Sequence, residues 1–248
     1  ASSDDFGNIA LCLAGTGDVD GALQSFDRAL AVAHDSGLAK EEADWRKGKG
    51  STLVGLGRFD AALREYAAAE HVYEQAGLRR ELVESLIDTG HVYELLGDGT
   101  AAESRFQQAL QLAKEIGNAS GEMAGLLALG DLEGRRKNYE VAETYLQQGF
   151  EKARLVGDEG TTIDAMIQRA LNDINRKRYD SAWQNASEAS QVAEHSGNRP
   201  AKALSQYVLG EVRRSQGQLP AVLGQYSSVQ AIQEQLRDPE LGWRILYG

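Results

Sequence analysis

The feature that most constrains the fold is a repeat of 40 residues, which continues through the sequence without an insertion or a deletion. When the chain is compared with itself at this spacing, one column holds mostly small side chains: Ala22, Ala62, Ala102, Ala142, Ala182 and Val222. A second column holds mostly large side chains: Phe26, Tyr66, Phe106, Leu146, Ala186 and Tyr226. Small side chains permit helices to approach closely and large ones fill the neighbouring space. The pattern therefore predicts six similar units stacked along the chain.

Glycines recur at two places in the repeat and indicate where helices end. The first column consists of Gly37, Gly77, Gly117, Gly157 and Gly197. The second consists of Gly17, Gly57, Gly97 and Gly217, with Lys137 and Lys177 at the two remaining positions. Glycine just past a helix accepts the left-handed conformation in which the last carbonyl groups find hydrogen bonds. Two such columns predict two helices per unit. In the third unit we expect them near 79–96 and 99–116, with the same pair every 40 residues.

These columns resemble the tetratricopeptide repeat. The family's pattern of Leu-Gly, Tyr, Ala, Phe and Ala is matched by Leu129-Gly130, Tyr93, Ala102, Phe106 and Ala109. The first-helix tryptophan of the family has a near match only at Trp45, shifted by one residue, and the proline after the second helix is absent. The repeat is also longer than the usual period of about 34 residues. The resemblance implies an all-α fold, a right-handed α-solenoid of six tandem helical hairpins, that binds other proteins.

The resemblance also implies a division of the chain. Six repeats would occupy 1–237, with boundaries near residues 37, 77, 117, 157 and 197. Residues 238–248 would begin a seventh repeat or form a capping helix, because Asp238 can cap a helix and Pro239 suits its first turn. This last segment, DPELGWRILYG, resembles the helix that follows the repeat array in bacterial proteins with a caspase-like CHAT domain. An alternative function is therefore the sensory array of a larger signalling enzyme.

Composition excludes several classes of function. The formal net charge is -11, which disfavours nucleic-acid binding because that needs a concentrated basic face. No apolar run reaches the roughly 18 residues of a membrane span. Cys12 is the single cysteine, and no secretory signal pattern occurs, so we expect a cytoplasmic protein. The apolar neighbours of Cys12, Leu11 and Leu13, predict a buried thiol.

No group of residues indicates catalysis. The four histidines, His34, His71, His91 and His195, are scattered over different units, and no metal-ligand spacing occurs. We therefore expect a chain that is not an enzyme, with no catalytic residues, cofactor or metal.

The first helices of stacked hairpins line a concave groove, which is the predicted surface for a protein or peptide. The columns that face it contain Lys47, Ser51, Ile87, Asp88, His91, Leu127, Asp131, Ile167, Leu171, Tyr207 and Glu211. Ordinary core packing is an equal explanation for the apolar members. The carboxylates Asp44, Glu84 and Asp164 flank the groove and favour a basic or amphipathic partner, although the helix dipole also explains carboxylates near helix N-termini.

A second candidate surface is a basic stripe at the ends of three first helices. Its members are Arg135, Arg136, Arg176, Arg178, Arg213 and Arg214. An acidic partner segment would suit it, but cations at helix C-termini also complement the helix dipole, by about 0.3–1 kcal/mol each. A further hypothesis is self-association, in which the last hairpin docks onto another copy of the chain.

Overall fold

The computed structural model describes residues 2–218 together with Tyr226 and Val229. Within residues 2–218 the regular structure is entirely α-helical. The helices are α1 (Ser3–Thr16), α2 (Val19–Asp35), α3 (Ala39–Gly55), α4 (Phe59–Ala76), α5 (Arg79–Leu95), α6 (Gly99–Ile116), α7 (Ala119–Arg135), α8 (Tyr139–Val156), α9 (Glu159–Asn175), α10 (Tyr179–His195) and α11 (Arg199–Ser215). The predicted all-α class is confirmed.

The helix ends lie where the glycine columns predict them. Helices α5 and α6 begin at the predicted residues, Arg79 and Gly99, and end within one residue of the predicted positions. The glycines of both columns have φ between 64° and 84°, which is the left-handed conformation expected past a helix end. Lys137 and Lys177 adopt it as well, with φ of 66° and 58°.

The chain divides into two compact units, an N-terminal unit that ends at Gly125 and a C-terminal unit that begins at Leu126. In the N-terminal unit α1 packs against α2, α3 against α4 and α5 against α6, as hairpins, and α3 also packs against α2. In the C-terminal unit α9 packs against α8 and α10, and α10 packs against α11.

The small and large columns of the repeat meet inside these hairpins. A Cβ atom on Gly90 would lie 2.3 Å from Cε1 of Phe106, and one on Gly50 would lie 3.1 Å from Cε1 of Tyr66. Phe106 is completely buried. Since real Cβ atoms do not approach other atoms within 3 Å, any side chain at position 90 would force the Phe106 ring to shift. The small and large residues therefore recur in the sequence because they pack against each other inside each hairpin.

Some sequence predictions are wrong or fall on other parts of the chain. The thiol of Cys12 is exposed, because Cys12 lies on the side of α1 opposite its buried residues Ser3, Gly7 and Ala10. Apart from Tyr226 and Val229, the second helix of the sixth repeat lies outside the described residues, and so does the predicted seventh repeat or cap at 238–248. No helix in the described part of the chain is long and apolar enough to cross a membrane.

Replacing Lys137 with glycine is expected to raise the free energy of unfolding by about 0.5–1 kcal/mol, because the Cβ atom of a left-handed residue strains the backbone. The helix end itself would be unchanged: the Lys137 amide donates to the Gly134 carbonyl at 3.0 Å and the Asn138 amide to the Glu133 carbonyl at 2.8 Å. Thermal denaturation measures the effect. Arg64→Gly is the control, since Arg64 is exposed inside α4 and glycine there is expected to cost about 1 kcal/mol. Destabilisation by both changes would contradict the prediction.

Candidate functional site

An open cleft of about 570 Å³ lies in the N-terminal unit, where α1, α3 and α5 contribute its walls. We call it the α1–α3–α5 cleft. It is lined by Leu11, Ala14 and Gly15 of α1, by Asp44, Trp45, Lys47, Gly48, Ser51 and Thr52 of α3, and by Asp88 of α5. All three helices are first helices of their hairpins, which is the set that the sequence predicts for the binding surface.

Small residues shape the apolar side of the cleft. A Cβ atom on Gly7 would lie 2.4 Å from Cζ2 of Trp45, so the glycine lets this indole ring pack directly on α1. A Cβ atom on Gly48 would similarly lie 3.1 Å from Cε1 of Phe26. Leu11 stands at the rim and is 49% exposed. The result is an apolar wall that includes an accessible leucine and a half-buried tryptophan.

Carboxylates outnumber ammonium groups along the other side of the cleft. Lys47 Nζ lies 2.6 Å from Glu84 Oε2 and 3.9 Å from Asp88 Oδ2. Nearby, Lys40 Nζ lies 2.7 Å from Asp44 Oδ2 and 3.7 Å from a carboxylate oxygen of Glu81. We call these residues, Lys40, Asp44, Lys47, Glu81, Glu84 and Asp88, the acidic strip. Four carboxylates share two cations, so the strip attracts further positive charge.

Asp88 is the carboxylate of the strip that lies farthest from its cation, with Oδ2 3.9 Å from Lys47 Nζ. Partial burial and the charge of Glu84 raise the pKa of Asp88, and the charges of Lys47 and His91 lower it only in part. A carboxyl group in this state gains when another cation approaches, because the ionised form is then favoured. Asp44 differs, since it already accepts a hydrogen bond from the hydroxyl of Tyr73 at 2.8 Å. Asp88 is therefore a position in the cleft where a ligand cation would be stabilised.

Of the five groove residues predicted in the N-terminal unit, the cleft brings together Lys47, Ser51 and Asp88. Ile87 is half-buried and packs against a core cluster formed by residues of α3, α4, α5 and α6. His91 is exposed: its Nδ1 lies 3.0 Å from Glu94 Oε2, and its ring meets the Phe106 ring edge-on at 5.0 Å.

The apolar groove residues predicted in the C-terminal unit are mainly core residues. Leu127 is 8% exposed and packs with Leu146 and Ala165. Ile167 is 2% exposed and belongs to a separate core cluster. Leu171 is the accessible one of the three, at 39%. Burial therefore favours packing over ligand contact for Leu127 and Ile167.

The polar and aromatic groove residues predicted in the C-terminal unit already have partners. The ring of Tyr207 stacks on that of Tyr226, with centroids 5.9 Å apart. Glu211 accepts a hydrogen bond from the hydroxyl of Tyr226 and forms an ion pair with Arg214. Asp131 forms an ion pair within its own helix.

The cations of the predicted basic stripe form ion pairs and a ring contact within the C-terminal unit. The side chain of Arg176 is 6% exposed and its guanidinium lies 2.5 Å from Glu140 Oε2. The guanidinium of Arg213 covers the Trp183 ring at 4.6 Å. The other members pair with carboxylates: Arg135 with Asp131, Arg136 with Glu133, Arg178 with Glu140 and Arg214 with Glu211. These contacts favour the structural explanation of the stripe.

Sequence reasoning missed the apolar wall of the cleft. Leu11 lies in the column of Ser51 and His91, one repeat earlier, so extending that column to the first unit would have found it. Ala14, Gly15 and Gly48 contribute by being small, and small residues carry no pattern that separates a cleft from close packing. Across residues 2–218, no three histidine, cysteine or acidic side chains are grouped so that they could hold a metal ion.

Comparison with known proteins agrees with the helical-hairpin architecture. The family model for the tetratricopeptide repeat matches residues 82–154, which includes α6, α7 and most of α5 and α8. This match confirms the predicted resemblance to the family. No curated protein sequence matches the chain significantly.

Solved structures share the fold. BtubC from P. vanneervenii superposes with a TM-score of 0.71 at 14% identity, over 89% of this chain and 90% of its own. A Rap protein superposes with a TM-score of 0.71 at 14% identity, over 98% of this chain and 79% of its own. A signal transduction ATPase with a tetratricopeptide repeat sensor, from Pyrococcus horikoshii, gives 0.76 at 17% identity, with 98% of this chain but 38% of its own. The all-α, tetratricopeptide-like fold is thereby established.

Proposed function

We propose that the chain is a protein-interaction scaffold that binds a basic, amphipathic peptide or helix of a partner protein in the α1–α3–α5 cleft. The observation that carries this proposal is the combination of an apolar wall and an acidic strip in one open cleft. Leu11 and Trp45 offer apolar contact area, which supplies most of the affinity in such interfaces. The carboxylates select the sign of the ligand charge and guide its approach.

The open shape and the chemistry of the cleft suit a peptide better than a small metabolite. Ligand sites for small molecules are concave and largely enclosed, with a few polar groups that converge on the ligand. Here the walls come from three separate helices and one apolar residue stands exposed at the rim. An amphipathic helix could lay its apolar face on Leu11 and its cations against Asp88, as in other helix-in-groove interactions.

A structural neighbour offers independent support. The Rap protein of similar fold was crystallised in a complex with Competence and Sporulation Factor. This supports a role in which stacked helical hairpins hold a partner molecule. Identity with that protein is 14%, so the partner of the present chain is proposed from its own cleft.

A second candidate function is a sensor within a larger signalling protein. The Pyrococcus horikoshii neighbour is a signal transduction ATPase whose tetratricopeptide repeats are its sensor, and this chain matches 38% of it. Binding in the cleft would then be the sensing event. Both functions require the same contacts, so the binding experiment below applies to each.

The proposed function is tested with a fluorescently labelled helical peptide of leucine, alanine and arginine, whose binding is followed by fluorescence anisotropy. Leu11→Ser is expected to weaken binding about tenfold at every salt concentration, because an apolar contact is lost. Asp88→Asn is expected to weaken binding mainly at low salt, since exposed charges are screened over about 10 Å at 0.1 M.

The matched control is Leu155→Ser, because Leu155 is 86% exposed on α8 of the C-terminal unit. It should bind the peptide as the parent does. If Leu11→Ser and Asp88→Asn both remained folded by circular dichroism and bound like the parent, the cleft would not be the binding site.

A further inference from the structure

Lys47 occupies an unusual place among the residues that line the α1–α3–α5 cleft, since it is the one cation among them. It projects from α3, and its Nζ reaches two carboxylates of α5, Glu84 at 2.6 Å and Asp88 at 3.9 Å. Its ammonium group therefore lies at the point where a cationic ligand would meet the acidic strip. In the free protein, Lys47 already forms the ion pairs with Glu84 and Asp88 that a ligand cation would form.

The other lysine of α3 provides a contrast. Lys49 Nζ lies 2.8 Å from Asp27 Oδ1 and 2.9 Å from Glu65 Oε1, and it does not line the cleft. It links α3 to α2 and α4, so its role is structural. One partner of Lys49 is exposed, Asp27 at 63%, but the other, Glu65, is 18% exposed. Both partners of Lys47 are accessible, since the side chains of Glu84 and Asp88 are 61% and 39% exposed.

These ion pairs are of the kind that exchange readily. The Lys47 side chain is 26% exposed and its partners more so. Ion pairs at the protein surface contribute little net stability, and lysine is a single charge on a flexible stem of four carbons. A guanidinium group has a planar fork of donors that can bind a carboxylate through two parallel hydrogen bonds. An arginine from a ligand would therefore compete well against Lys47 for Glu84 and Asp88.

We propose that Lys47 is an internal counter-ion that holds the cation position of the cleft, and that an arginine side chain of the partner peptide displaces it. The inference rests on the proposed function and adds a determinant of specificity. A ligand without a cation would leave Lys47 in place, and its binding energy would come only from contacts with the apolar wall. A ligand with a well-placed arginine would exchange one ion pair for a stronger one and release Lys47 to solvent.

The experiment compares three residues at position 47 with the same labelled peptide of leucine, alanine and arginine. Lys47→Met removes the competitor and is expected to tighten binding about tenfold at low salt. Lys47→Arg strengthens the competitor and is expected to weaken binding several-fold, because its guanidinium can hold the carboxylates in two hydrogen bonds. Both differences should shrink as salt is added. The order of affinity should be Met, then Lys, then Arg.

Two controls separate displacement from other effects. A peptide with glutamine in place of arginine should bind all three chains equally, because it has no cation to exchange. Lys49→Met should leave the affinity for the arginine peptide unchanged, since Lys49 lies outside the cleft. Circular dichroism melting of each variant checks that the fold is retained, and Lys47→Gln provides a second neutral variant if Lys47→Met does not fold.

The outcomes distinguish this inference from the proposed function. If the parent bound the arginine peptide and Asp88→Asn weakened it, but Lys47→Met and Lys47→Gln bound no tighter than the parent, the displacement of Lys47 would be overturned and the binding site would stand. If no chain bound the arginine peptide in a way that depended on Asp88, both would be overturned. Tighter binding by the neutral variants together with weaker binding by Lys47→Arg would support displacement.

Discussion

Replacement of Phe106 with alanine is expected to lower the free energy of unfolding by about 3–5 kcal/mol, because the ring is completely buried and its loss leaves a cavity. The ring fills the space above Gly90, where a Cβ atom would lie 2.3 Å from Cε1. It also meets the His91 ring edge-on at 5.0 Å. Denaturant unfolding followed by circular dichroism measures the change.

The opposite change at the same contact makes the test specific. Gly90→Leu overpacks the hairpin and is expected to cost about 1–3 kcal/mol or more. In the double variant Gly90→Leu/Phe106→Ala, the new leucine enters the space that the ring leaves. The double variant should therefore be more stable than the sum of the two single changes predicts, with a coupling of about 0.5–3 kcal/mol.

Gln107→Ala is the control for both changes, because Gln107 is the exposed neighbour of Phe106 and surface changes usually stay within about 0.5 kcal/mol. Strict additivity in the double variant, or a Gly90→Leu protein as stable as the parent, would show that residues 90 and 106 are not in contact.

Asp173→Ala is expected to destabilise the C-terminal unit by about 2–3 kcal/mol, because two hydrogen bonds to a buried charged group are lost. Asp173 is 3% exposed. Its Oδ2 accepts a hydrogen bond from the Ser181 hydroxyl at 2.6 Å and from the Asn185 side-chain amide at 3.2 Å. These bonds join α9 to α10 across the turn that contains the strained Lys177.

The same unfolding measurement tests this prediction against two companions. Ser181→Ala removes one of the two donors and should cost less than Asp173→Ala. Glu188→Ala should be nearly neutral, since Glu188 is exposed on α10. Asp173→Ala with the stability of the parent would mean that the contact between α9 and α10 does not depend on these bonds.

The sequence alone was sufficient to predict the helices and the residues near which they end. Helix ends depend on local backbone chemistry: glycine takes the left-handed conformation at Gly77 and Gly117 without strain, so a glycine column that falls between two helical patterns locates a helix end. The column that contains Gly90 and the column that contains Phe106 were recognisable for a related reason. Close packing within one hairpin constrains residue size in every repeat, and size is visible in the sequence.

The binding surface depended on tertiary structure. Periodicity assigned Leu127 and Ile167 to the same face as Lys47, yet the first two are buried and Lys47 lines a cleft. A column records which way a residue points from its own helix, whereas exposure depends on what neighbouring helices place against it. The ion pairs of Arg176 and of Lys47 join residues more than 30 positions apart. No local pattern in the sequence encodes such a pair, because the three-dimensional packing of separate helices alone brings the two charges together.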